Sequence, residues 1–127
     1  MIWTLQWVDS EPHEVLTLEH LNCLLDELER NHDDRSPVLA QLESPGREVL
    51  MIGIGGPLSV LDHIAASGWP AMHSVGKPTT ETIPYKMGSY YSEMPKSYAI
   101  SRELARKAIE HFFCAGQLFE GVVWEND

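Results

Sequence analysis

Cysteine, basic residues and long apolar runs are what this sequence has least of, and each shortage excludes a class of protein. Two cysteines in 127 residues cannot make a disulfide framework. Cys23 and Cys114 read as small hydrophobes on the apolar sides of two helices, and buried thiols are the expectation. Nine basic residues against nineteen acidic ones leave a net charge of −10, which repels a phosphate backbone and argues against nucleic-acid binding. No apolar stretch reaches bilayer length, and MIWTLQWVDSEPHE lacks the basic start and small-residue cleavage site of a signal peptide. A cytoplasmic protein with no membrane contact is the expectation.

Catalytic motifs are missing as well. There is no Gly-x-Ser-x-Gly elbow, no Walker lysine loop, no Cys-x-x-Cys and no His-Glu-x-x-His. His13, Glu14 and His20 have the wrong spacing to set two imidazoles on one helical face. Gly53-Ile54-Gly55-Gly56-Pro57 is glycine-rich, yet Pro57 removes a donor where a phosphate loop needs one, so a turn is the better reading. No enzyme, no cofactor and no metal follow from these patterns.

What is present suits one globular core. Hydrophobic residues make up 43% and charged ones 22%, and the length fits a single domain over 1–127. The organising stretch is Ile100 to Trp124. Ser101 can cap a helix whose stripe is Leu104, Ala105, Ala108, Ile109, Phe112 and Phe113, with Arg102, Arg106, Lys107 and Glu110 opposite. Gly116 supplies the left-handed stop, and Val122 to Trp124 forms a closing strand.

Earlier in the chain, Ile2 to Val8 alternates as a half-buried strand, and a loop holding Pro12 follows. Thr17 can cap a second helix with a Leu18, Leu21, Leu24, Leu25, Leu28 stripe, which Asn31 to Ser36 end. Val38 to Leu42 is a strand, Ser44 to Arg47 a turn in which Gly46 suits positive φ, and Val49 to Ile54 a central strand. Leu58 to Ala66 fits either a strand or a short helix on periodicity. Ala71 to Val75 and Ile83 to Met87 read as strands, and Gly88 to Pro95 as an aromatic, polar loop. The sum is an α+β fold, a mostly antiparallel sheet with two main helices packed on it.

Three groups of residues could carry function. Asp9, Glu11, Glu14, Glu19, Asp26, Glu27, Glu29, Asp33 and Asp34 face only Arg30 among basic neighbours, which places eight of the ten net charges in that segment. A solvated helix face is the plain reading; a patch for a basic protein partner at Asp26, Glu27 and Glu29 is the sharper one. Tyr85, Tyr90 and Tyr91 with Glu81 and Glu93 form an aromatic, acidic cluster suited to a protein interface, or else capping the sheet edge. His63 and His73 stand opposite each other if a hairpin centres on Gly68, and with Asp62 they support an alternative, a small metal-dependent enzyme. Strand alternation opposes it, because adjacent Asp62 and His63 point to opposite faces. A structural subunit with an apolar sheet edge is a third possibility.

The ordered set of Trp69, Gly76, Tyr85-Lys86-Met87-Gly88, Pro95, Ile100-Ser101, Ala105, Ala108, Phe112, Gly116, Val123 and Trp124 resembles the first-numbered immunity-protein family of bacterial polymorphic toxin systems. Weaker similarity reaches back to the leucine-rich helix and the Gly-Gly-Pro break. Phe119 departs from the pattern, standing where such sequences often carry proline. The resemblance implies an α+β fold and a role in binding and inhibiting a cognate toxin domain, frequently a nucleic-acid deaminase and therefore often basic. It also implies that Trp124, with Gly116 and Phe112, is structural and not a partner contact.

Overall fold

The computed structural model describes residues 2–7 and 10–127; Val8, expected to end the first strand, and Asp9, counted in the acidic segment, lie outside them. Ten strands and two helices follow in the order β1 (Trp3–Trp7), β2 (His13–Val15), α1 (Leu18–Asn31), β3 (Val38–Glu43), β4 (Val49–Ile54), β5 (Leu58–Ile64), β6 (Ala71–Ser74), β7 (Thr82–Met87), β8 (Tyr90–Pro95), β9 (Ala99–Ser101), α2 (Arg102–Ala115) and β10 (Trp124–Asn126). The main sheet runs β10-β6-β5-β4-β3-β1-β2, with β4 in the middle. Every neighbour in that path is antiparallel. The β7–β8 hairpin joins through a parallel bridge between Val38 and Lys86, beside the end of β3 that β1 leaves free.

Alternation along the central strands sorts the core into two layers. Val38, Ala40 and Leu42 of β3 and Leu50, Ile52 and Ile54 of β4 point to the side on which α1 lays Leu21, Leu25 and Leu28 and α2 lays Ala105, Ala108, Ile109 and Phe112. Leu39, Val60, Tyr85 and Ala99 form a smaller core on the opposite side, flanked by Met51, Leu58, Ile83, Met87, Met94 and Tyr98. One sheet thus serves two apolar layers, with helices over one and a hairpin over the other.

The helix ends are held as their sequences require. The Thr17 hydroxyl accepts from the His20 N–H at 3.1 Å and the Ser101 hydroxyl from the Leu104 N–H at 3.2 Å. Gly116 closes α2 at φ 69°, donating to the Phe112 carbonyl.

Several local expectations change. Leu58 to Ile64 is a strand, which settles the open choice. Residues 90–95, expected as a loop, form β8, because the turn at Gly88 reverses the chain and tyrosine favours an extended backbone. In the turn after β3 the positive φ falls on Arg47, at 72°, and not on Gly46. Both cysteines are exposed. Each sits two residues from a buried side chain, Leu21 or Phe112, and two residues turn a helix by about 200°, away from the core.

Candidate partner-binding surface

The hairpin β7–β8 splits the tyrosine cluster by strand parity. Tyr85 faces Ser92, Lys86 faces Tyr91, and Pro84 faces Glu93. Tyr85 therefore points inward, and at 1% exposure it offers a partner nothing, which corrects its place among the contact residues. Its ring lies against Gly53 of β4, where a Cβ would collide with it. Burial pushes the phenol up to about 12, although the Val60 backbone hydrogen-bonds it. The alternation of Ile83, Tyr85 and Met87 was the available signal for this inward turn.

Tyr91 and Glu93 share the outer face of the hairpin with Lys86 and Pro84, and Tyr91 is 65% exposed. Tyr90 lies on the inner face beside Met87 but near the tip, where it stays 59% exposed. Glu81 is exposed at the root, with the Thr79 hydroxyl at 3.3 Å and Lys96 Nζ at 3.8 Å. The structure thus brings together Tyr91 and Glu93, sets Tyr90 around the edge and engages Glu81 locally.

The second expected patch, on α1, is mostly committed within the fold. Arg106 of α2 donates from Nη1 to Asp26 at 2.9 Å and to Glu29 at 2.8 Å, and from Nη2 to the Asn22 side-chain oxygen at 3.0 Å. Arg102 Nε stands 3.7 Å from Glu29. Burial alone would lower the Arg106 pKa; the hydrogen bonds and charges of Glu29 and Asp26 outweigh it and hold the guanidinium above its ordinary value. Glu27, one residue round the helix, is exposed.

The histidine pair does not form. His63 faces Met72 and His73 faces Asp62, because the β5–β6 turn closes between Ala65 and Pro70, which shifts the register by one residue from that of a turn centred on Gly68. A one-residue slip moves a side chain to the other face of a sheet. His63 turns to the helices, edge-on to Phe112, and contacts Glu48 through Nε2 at 2.9 Å. His73 stacks on Tyr98 at 3.5 Å on the opposite face, with Nδ1 2.8 Å from Asp127 Oδ1. Among the described residues no group of three His, Cys, Asp or Glu is placed to hold a metal ion.

Sequence reading missed the carboxyl pair beside His73. Asp62 is pushed up to about 7, first by burial and then by a hydrogen bond and charge from Asp127. Its Oδ1 is buried with no hydrogen-bond partner among the described residues. No one-dimensional pattern joins these residues; the antiparallel pairing of β10 with β6 does.

The closing strand begins at Trp124, with Val122 buried just before it and Val123 65% exposed. The Trp124 indole donates to the Phe119 carbonyl at 3.0 Å while its ring packs on the helix-side core. Phe119 itself stands 5.5 Å from the His111 ring, so the loop that departs from the family pattern is tied at both backbone and side chain. None of the described helices is long and apolar enough to cross a membrane. No curated protein matches the chain. The family model for Immunity protein Imm1 matches residues 9–126, nearly the whole length, and the chain belongs to that family.

Proposed function

We propose that this protein binds a cognate toxin domain of a bacterial polymorphic toxin system in the cytoplasm and holds it inactive, without making or breaking bonds itself. One observation carries the reading to a surface: Tyr91, 65% exposed, stands beside Glu93 on the outward face of a hairpin. Tyrosine gives a large, stiff contact area at low entropic cost, and interface hot spots favour it. Membership of an immunity-protein family supplies the class of partner.

The net charge of −10 adds a preference for a basic toxin, such as a deaminase acting on nucleic acid. Opposite charge steers encounter and raises the association rate at low salt by about tenfold to a thousandfold. A fast encounter suits an antidote. Co-expression with the toxin domain encoded beside it tests the reading: growth is rescued, a complex co-purifies, and deaminase activity on single-stranded DNA or RNA falls to background at equimolar ratio. Rescue without a complex would sink direct inhibition, and an association rate indifferent to salt would remove the steering.

A further inference from the structure

Among the described residues four strands, β2, β8, β9 and β10, pair with a single neighbour, and their free edges are not alike. The ends of the main sheet, β2 and β10, are strands of three residues each, short enough to discourage another chain from pairing. β8 runs six residues, Tyr-Tyr-Ser-Glu-Met-Pro, and pairs only with β7 among the described residues. It carries no lysine, and its proline comes last.

The direction of its free backbone groups follows from two hydrogen bonds. Lys96 N–H donates to the Glu81 carbonyl at 2.9 Å, which marks 81 and 96 as a bonded pair. Alternation then bonds 83 with 94, 85 with 92 and 87 with 90, and leaves 84 with 93 and 86 with 91 as non-bonded pairs. The Lys86 N–H agrees, since it points away from β8 and donates to the Pro37 carbonyl at 2.9 Å. The N–H and C=O groups of Tyr91 and Glu93 therefore point outward, to the side of β8 that no strand occupies among the described residues. On the other edge of the hairpin the residues of the same parity are Thr82, Pro84 and Lys86; Pro84 has no N–H to leave unpaired and the Lys86 N–H is taken by Pro37. From Pro84 to Lys86 one edge is closed by proline and by the bond to Pro37, and the other is left open.

We infer that the toxin domain docks by adding an extended segment to the free edge of β8, paired to the backbone of Tyr91 and Glu93, with a lysine or arginine set beside Glu93. This rests on the inhibitory reading above and specifies how the complex is made. Charge selects the occupant: Glu93 is the sole charged side chain of β8, and a second copy of this chain would bring another net charge of −10 and another Glu93 to the same seam. A basic segment meets the opposite situation. Strand addition also draws its affinity from main-chain hydrogen bonds and its selectivity from the side chains on either side.

Amide hydrogen exchange, resolved by residue on the intact chain with and without the toxin domain encoded beside it, tests this. In the free chain the Ser92 and Met94 amides are protected while those of Tyr91 and Glu93 exchange freely; in the complex Tyr91 and Glu93 become protected too. Glu93→Pro, which deletes an outward N–H and the carboxylate but no N–H bonded to β7, weakens the complex by about tenfold or more and by more than Glu93→Gln, which removes the charge alone, while the free chain keeps its circular dichroism spectrum. A complex in which both amides still exchange freely overturns strand addition and leaves the inhibitory function standing. Absence of any complex overturns both. Protection of the two amides in the chain alone, rising with its concentration, assigns the edge to self-pairing and overturns the inference.

Discussion

The two faces of the sheet match their carboxylates to different degrees. On the helix side, Asp26 and Glu29 are answered by Arg106 and Glu48 by His63. On the hairpin side, Asp127 lies between His73 and another carboxylate, Asp62, Glu81 meets Lys96, and Glu93 faces a proline across the ladder. A count of acidic residues along the chain places the surplus in the segment from Asp9 to Asp34 that contains α1, but an acidic patch is available to a partner only where the fold has not already matched it. By that measure α1 keeps Glu19 and Glu27 and the hairpin keeps Glu93, each exposed and outside any ion pair among the described residues.

The comparison can be broken in four places. Tyr85→Ala has the largest expected effect, since it empties the hairpin-side core over Gly53; a loss of about 3–5 kcal/mol in urea unfolding is expected, as for other large core truncations. Toxin affinity should fall with it, although the tyrosine touches no partner. Arg106→Ala leaves Glu29, only 19% exposed, beside Asp26 without their shared donor. A loss of about 2 kcal/mol is expected, with toxin affinity unchanged in a titration at saturating fold. A large loss of affinity would return the α1 patch to contention.

Asp62→Asn gives a smaller change, visible as a slope. Folded Asp62 keeps its proton to about pH 7, whereas the ordinary aspartate value is 3.8. The folded state binds the extra proton between those values, so stability falls as pH rises through that window. The asparagine variant should show a flatter melting temperature from pH 4 to pH 8, with its advantage at the upper end. Glu27→Gln has the smallest effect, within about 0.5 kcal/mol on stability and about twofold on toxin affinity, because the exposed side chain joins no ion pair among the described residues.

Much of the fold was legible because the signals were local. The Thr17 and Ser101 caps, the glycine stop at 116 and the leucine stripe of α1 each depend on residues within a turn or two of one another. The alternation of Trp3, Leu5 and Trp7, and the apolar run that makes β4 central, were readable for the same reason. Register was not. A turn that closes at Ala65 and Pro70 instead of one residue later sends His63 and His73 to opposite faces, and only the folded turn decides this. The partner of Arg106 was equally hidden, since nothing along α2 says which helix lies beside it. At the hairpin, tyrosines at 85, 90 and 91 looked alike by type and proximity; strand parity separated one core ring from two exposed ones.

Gly53 gives the hairpin one of its footings, beside the bridge from Val38 to Lys86. Because that position has no side chain, one aromatic ring can rest directly on the backbone of β4, and the two-stranded arm takes its angle from that seat. A methyl group there would tilt the arm as a lever tilts about its pivot, displacing Tyr91 and Glu93 farther than the atoms that caused it. The recognition proposed for the hairpin would thus depend on a residue in the middle of the sheet.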